Sequence, residues 1–137
     1  SVGWLETRLR NAGMQAVRDA TQAALYSAKD TTLFKDRTGA LRGSIRQWDA
    51  GAFTGQVLAG TPAVKHATFI ENGTRPHVIR ARRAPFLVFR VNGVLVRAKQ
   101  VNHPGTAKRP FMANARRDGA IALALSLRER VAQAMQR

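Results

Sequence analysis

The sequence predicts an α+β fold: an antiparallel sheet of two hairpins packed by long helices at the N and C termini. Three observations carry that prediction. Residues 4–28 and 110–136 repeat apolar side chains at three- and four-residue spacings, the period of a helix with one buried face. Between them, the β-branched and aromatic runs 86–91 and 94–98 are separated by Asn92-Gly93, the pair that suits a two-residue type I′ turn. A shorter pair of runs, 45–48 and 53–58, is broken by Asp49-Ala-Gly-Ala and reads as a first hairpin.

Taken in order, the first helix carries Leu5, Leu9, Ala12, Ala16, Ala20, Ala23 and Ala24 on one face. Alanine at most of those positions lets a neighbour approach closely. Residues 31–37 are polar and loop-like. Thr38-Gly-Ala-Leu-Arg-Gly-Ser-Ile45 then reads as a helical turn with Thr38 as its candidate cap, leading into the first hairpin, which Gly60-Thr-Pro62 closes. A short helix is expected over 64–72, burying Val64, Ala67, Phe69 and Ile70 and stopping at Asn72-Gly73. The second hairpin follows, with Leu87, Phe89 and Val91 expected in a core row. The last helix begins at Pro110, which suits a first turn. Its expected apolar stripe is Met112, Ala120, Ala124, Leu127, Val131 and Ala134, with Gly119 inside it as a place for a kink or a close contact.

Composition bounds the class. A chain of 137 residues with 45% hydrophobic content fits a single domain, 1–137, with a modest core. The absence of cysteine excludes a disulfide scaffold and thiolate metal sites, and fits a reducing cytoplasm. No apolar run approaches the roughly 20 residues that span a bilayer, and the opening residues lack the charged-then-apolar pattern of a secretion signal.

Charge is the most informative feature. Lysine and arginine number 23 against 8 acidic residues, a net charge of +15. From 72 to 117 there is no acidic residue at all, while Arg75, Arg80, Arg82, Arg83, Arg90, Arg97, Lys99, Lys108, Arg109, Arg116 and Arg117 all fall there. A field concentrated in one hairpin, at about 77–101, and its flanks marks a surface that meets something acidic. A solvated strand edge also collects arginine. What separates this segment from a merely soluble one is its rigid loop chemistry, since Pro76, Pro85, Pro104 and Pro110 each fix a backbone angle.

The inventory for catalysis is thin. His66, His77 and His103 are the three histidines, and no carboxylate pair stands at a spacing that implies acid and base roles. His66 is expected partly buried or at an interface. His77 and His103 sit beside prolines in two loops that could meet across the hairpin, but two ligands fall short of a zinc site. Ser44 has no His or Asp near it in sequence, and residues 39–43 lack the ending of a phosphate-binding loop. No catalytic residue, cofactor or metal is expected. Nucleic-acid binding is the rival reading on charge, although no zinc finger, RNA-recognition signature or helix-turn-helix spacing is present.

Four strings together carry a resemblance. Thr38-Gly-Ala-Leu-Arg-Gly-Ser-Ile45, His66-Ala-Thr-Phe-Ile-Glu-Asn-Gly-Thr-Arg-Pro-His77, Val101-Asn-His-Pro-Gly-Thr106 and Arg109-Pro-Phe-Met112, in that order around the Phe-Arg-Val-Asn-Gly hairpin, resemble the neck and tail-completion proteins of long-tailed bacteriophages, the group that includes the minor tail protein Z of phage lambda. The resemblance spans residue 38 to the final helix. It implies a structural virion protein at the head-to-tail junction, assembled in the host cytoplasm as a homo-oligomeric ring, sixfold in that family's pattern, beside other neck and tail proteins. It also implies that loops 73–77 and 102–109 dock ring neighbours. On that reading Arg75, His77, Arg80, Arg82, Arg83, His103, Lys108 and Arg109 form the docking surface, with the cations meeting acidic surfaces or transiting DNA. The tail terminator is the alternative role within the same assembly.

Overall fold

The computed structural model describes residues 2–136. Its elements run α1 (Gly3–Asp30), α2 (Ala40–Ser44), β1 (Arg46–Gly51), β2 (Thr54–Leu58), α3 (Ala67–Asn72), β3 (His77–Arg80), β4 (Leu87–Val91), β5 (Val94–Ala98), β6 (Gln100–His103) and α4 (Phe111–Ala134). The α+β class holds, with antiparallel strand pairs between two long terminal helices. The strands form three two-stranded ribbons, β1–β2, β3–β6 and β4–β5.

The helices α1 and α4 lie antiparallel along each other. Ser27 Oγ donates to Asp118 Oδ2 at 2.5 Å, Arg130 Nε to Asp19 Oδ2 at 2.8 Å, and Arg8 reaches the carbonyls of Gln133 and Gln136 at the far end. The side chains between are small, as the alanine spacing of α1 predicts: Ala12, Ala16 and Ala28 are buried. The stripe expected on α4 is displaced. Phe111, Ala115, Gly119 and Ala134 face inward, while Ala120, Ala124 and Leu127 are exposed. Gly119 explains the shift, since a Cβ there would stand 3.0 Å from Ala24 Cβ and 3.2 Å from the Ala20 carbonyl. Its missing side chain lets the helices close, and the buried face centres on it.

The core gathers where α1 ends and α4 begins. Phe34, Leu41, Ile45, Ala67 and Phe111 pack with Ala28 and Ala115, and the rings of Phe34 and Phe111 meet edge to face at 5.0 Å between centroids. Ile45, expected in the first strand, precedes β1 as a core residue. The turn of the first hairpin narrows to Ala52-Phe53 because a bulge lies between Asp49 and Gly51. Phe69 is 57% exposed rather than buried. In a helix of six residues with Ala67 pointing inward, the second residue on points away.

Arg42 and Asp36 organise the segment between α1 and α2. The Arg42 guanidinium donates to the carbonyls of Lys29, Thr31 and Phe34 and lies 4.7 Å over the Phe34 ring. The Asp36 carboxylate accepts the Arg42 amide at 2.7 Å, while Thr38 Oγ1 accepts from Ala40 N at 3.2 Å, so α2 draws on both for its free N–H groups. Hydrogen bonds from the backbone amides of Arg42, Leu41 and Gly39 hold the Asp36 carboxyl below its usual range.

Candidate functional site

Residues 77–103 form an arm. Strand β3 pairs with β6 in the register His77↔His103 to Arg80↔Gln100, and Ala81 N continues the ladder to the Lys99 carbonyl at 3.0 Å. Beyond the connection 81–86, β4 and β5 pair from Leu87↔Ala98 to Val91↔Val94. Asn92 at φ 50 and Gly93 at φ 81 turn the tip as the Asn-Gly signal predicts. No residue of the arm is buried. Leu87, Phe89 and Val91 do line one face, but that face is half-buried to exposed because no helix packs closely on it. The core row expected there is therefore an uncovered apolar row, continued across the ladder by Val94, Val96 and Ala98. The opposite face alternates Val88 and Leu95 with Arg90 and Arg97.

The two proline loops are halves of one joint at the base of this arm. Thr74 N donates to the Thr106 carbonyl at 3.0 Å, Thr106 N returns to the Thr74 carbonyl at 3.1 Å, and the two hydroxyls lie 3.0 Å apart. Gly73 at φ 70 and Gly105 at φ 81 flank the bridge, each with its α-carbon against the opposite backbone, so that a Cβ on either would overlap a carbonyl oxygen. Arg109 N donates to the Ile70 carbonyl at 2.7 Å, tying the joint to α3. Glu71, also on α3, accepts from Met112 N at 2.8 Å and Ala113 N at 3.0 Å, placing a carboxylate at the positive end of α4. The spacing of Asn72-Gly-Thr-Arg-Pro-His77 and Asn102-His-Pro-Gly-Thr106 thus reflects a backbone joint first.

The histidines of the two loops meet. His77 and His103 are cross-strand partners, their rings stacked 4.9 Å apart at 27°. His77 Nδ1 bonds to the Arg75 carbonyl at 2.7 Å, and His103 Nδ1 accepts from Gly105 N at 3.0 Å, so each ring spends one nitrogen on holding its own loop. His66, expected partly buried or at an interface, is exposed at the start of α3 in the single chain. A groove of about 640 Å³ runs along the joint, lined by His66, Phe69, Arg75, His77, His103 and Arg109 among others. Arg80, Arg82 and Arg83 stand further up the arm and Lys108 lies off the groove, all of them exposed. Of the eight docking residues, four are therefore gathered at the joint and four are spread over the arm and its flank.

Among the described residues no three histidine, aspartate or glutamate side chains gather as metal ligands would. Ser44 is buried, donating to the Leu41 carbonyl at 2.6 Å and accepting from Gly60 N at 2.8 Å, so its hydroxyl is spent on structure. No described helix is long and apolar enough to cross a membrane. The ion pairs among described residues are Arg130–Asp19 and the long Arg117–Asp118 contact, neither in the arm, so among the described residues no carboxylate pairs with the arm's cations. No family model, curated protein or solved structure matches the chain.

Proposed function

We propose that this protein is a structural subunit of a long-tailed phage virion, assembling as a ring at the head-to-tail junction in a tail-completion role. The four sequence strings supply the family expectation. What supports assembly is surface. The chain exposes 10352 Å², whereas a compact monomer of its mass exposes about 7,000 Å². The surplus, about 3,000 Å², exceeds what two interfaces of ordinary size take from one subunit, about 800 Å² each.

Large apolar side chains contribute to that exposed surface. Trp48, Val88, Val94, Leu95, Ile121 and Leu125 are each more than half exposed. On α4, apolar residues occur on the outer face as well as the inner one, the pattern of a helix covered on both sides. A subunit flanked by two copies of itself around an axis has such cover on both sides. The reading is structural rather than catalytic, and the tail terminator remains the neighbouring alternative, since both roles require a ring.

A second reading rests on charge: the uncompensated cations of the arm and joint contact transiting DNA, the term that makes such contacts salt-sensitive. Light scattering behind a sizing column, at low and high salt and with and without duplex DNA, separates the two. A discrete ring that ignores DNA supports the junction subunit. A monomer that binds DNA at low salt and releases it at high salt replaces that reading with a basic DNA-binding domain.

A further inference from the structure

We infer that the ring, if the junction reading holds, closes by insertion of the β4–β5 tip of one subunit into the groove between β2 and α4 of the next. An isolated two-stranded hairpin is marginal in water. The tip carries six apolar residues on one face with no helix over them, Val91 at 48% and Val94 at 66% exposure among them. A face of that kind calls for a cover, and phosphate or solvent supplies none.

The body of the same chain offers the matching cavity. A groove of about 880 Å³ lies over α1, between β2 and the start of α4. Its apolar lining includes Ala20, Ala24, Val57, Met112, Ala120 and Leu123. All five residues of β2 line it, both those that point up and those that point down, so the groove runs along the strand's edge. Along that edge, among the described residues, Thr54–Leu58 makes no backbone hydrogen bond beyond its ladder with β1. A free strand edge above an apolar floor accepts an added strand with an apolar face, which is what β4 or β5 of a second copy presents.

The geometry of the contact also fits a ring. Tip and groove are different surfaces of one chain, so the contact is heterologous, and repetition either closes or propagates. Packing of two tips against each other would be isologous and would stop at a dimer. The available surplus of about 3,000 Å² accommodates one tip given and one received per subunit.

The chain has no cysteine, which makes cross-linking clean. Two single variants, Val94→Cys at the tip and Ala120→Cys in the groove, are each oxidised alone and also as an equimolar mixture of the reduced proteins, and the disulfide-linked dimers are identified by mass spectrometry. The expected result is that the mixture gives the mixed dimer as the dominant linked species, and that Val94→Asp removes the oligomer peak while leaving the circular dichroism melt of the body unshifted. If Val94→Cys alone links as efficiently as the mixture, the tips pack on each other and the proposal is overturned. Should the wild-type chain form a ring while neither the mixed disulfide nor the Val94→Asp loss is seen, the insertion fails and the ring reading survives. A wild-type chain that stays monomeric at every concentration overturns both.

Discussion

The body and the arm are built on opposite terms. In the body, Phe111, Leu41 and Ile45 are fully buried, α1 and α4 interlock through small residues, and the polar groups that go inside are bonded. In the arm, residues 77–103, nothing is buried and every charged side chain is basic. The body obeys the rule that folding is driven by removing apolar area from water. The arm leaves such area in water and adds like charges beside it. The body carries the buried apolar packing of the chain, and the arm carries none of it.

The largest expected effect breaks the comparison if it fails. Phe111→Ala removes a ring in edge contact with Phe34 and leaves a cavity in the core, at a cost of about 3–5 kcal/mol. Phe89→Ala in the arm removes the same ring from a half-exposed cross-strand pair with Val96, at a cost of about 1 kcal/mol or less. Thermal melts followed by circular dichroism measure both. Equal losses would mean that the arm shares the core's cooperativity and that the division is wrong.

Next in size is Gly119→Val. Helix propensity alone predicts a gain of a few tenths of a kcal/mol from replacing glycine. The contact with Ala24 and the Ala20 carbonyl predicts the reverse, a loss of about 1–3 kcal/mol, as α1 and α4 are forced apart. Denaturant titration gives the sign directly. A stabilised variant would show that the helices do not depend on this approach.

How much of this was legible in the sequence follows the same division. Local signals match the structure: the three- and four-residue spacing of α1, the Asn92-Gly93 turn and the stop at Gly73 are each written within a few residues, and the two histidine loops do meet across the β3–β6 ladder. The α4 stripe is displaced from its expected place because glycine reads as a helix defect until its partner helix is known, and the partner residues Ala20 and Ala24 lie nearly a hundred positions away in the chain. Glu71 as a cap for α4 left no local trace for the same reason, its acceptor role depending on amides 41 and 42 residues on. Asp36 could have been found, since an aspartate shortly before a helical turn is a capping signal. At the candidate site, sequence supplied the loops and the histidine pair, but the loops expected to dock serve first to fasten the arm, through the Thr74–Thr106 bridge and the close approach at Gly73 and Gly105.

That fastening gives a prediction of smaller and local size. Gly105→Ala places a side chain at φ 81 against the Thr74 carbonyl, a strain of about 1–3 kcal/mol confined to the joint. Hydrogen exchange followed by mass spectrometry is expected to show faster exchange in 77–103 and no change in α1 or α4. Faster exchange in the helices as well would make the joint part of the core's folding unit.

Acid should act on the body and spare the arm. Asp19 is held below the ordinary aspartate value of 3.8 by hydrogen bonds from Arg130 and Ser126, and Asp36 is lowered by backbone amides, that of Arg42 first. A folded-state pKa below the unfolded one contributes stability that is present above 3.8 and is lost as the pH falls through the folded value. Asp19 is 41% exposed, so its pair with Arg130 is worth no more than about 1 kcal/mol. The arm has no carboxylate between 72 and 117 to protonate. Melts and hydrogen exchange taken from about pH 5 to about pH 2 are expected to show destabilisation of α1, α2 and α4 without a matching step in the arm. The double variant Asp19→Asn, Asp36→Asn sharpens the test: it lowers stability at neutral pH and flattens the acid limb. An acid limb that keeps its slope in that variant would place the acid-sensitive groups elsewhere and remove the electrostatic contrast between the two regions.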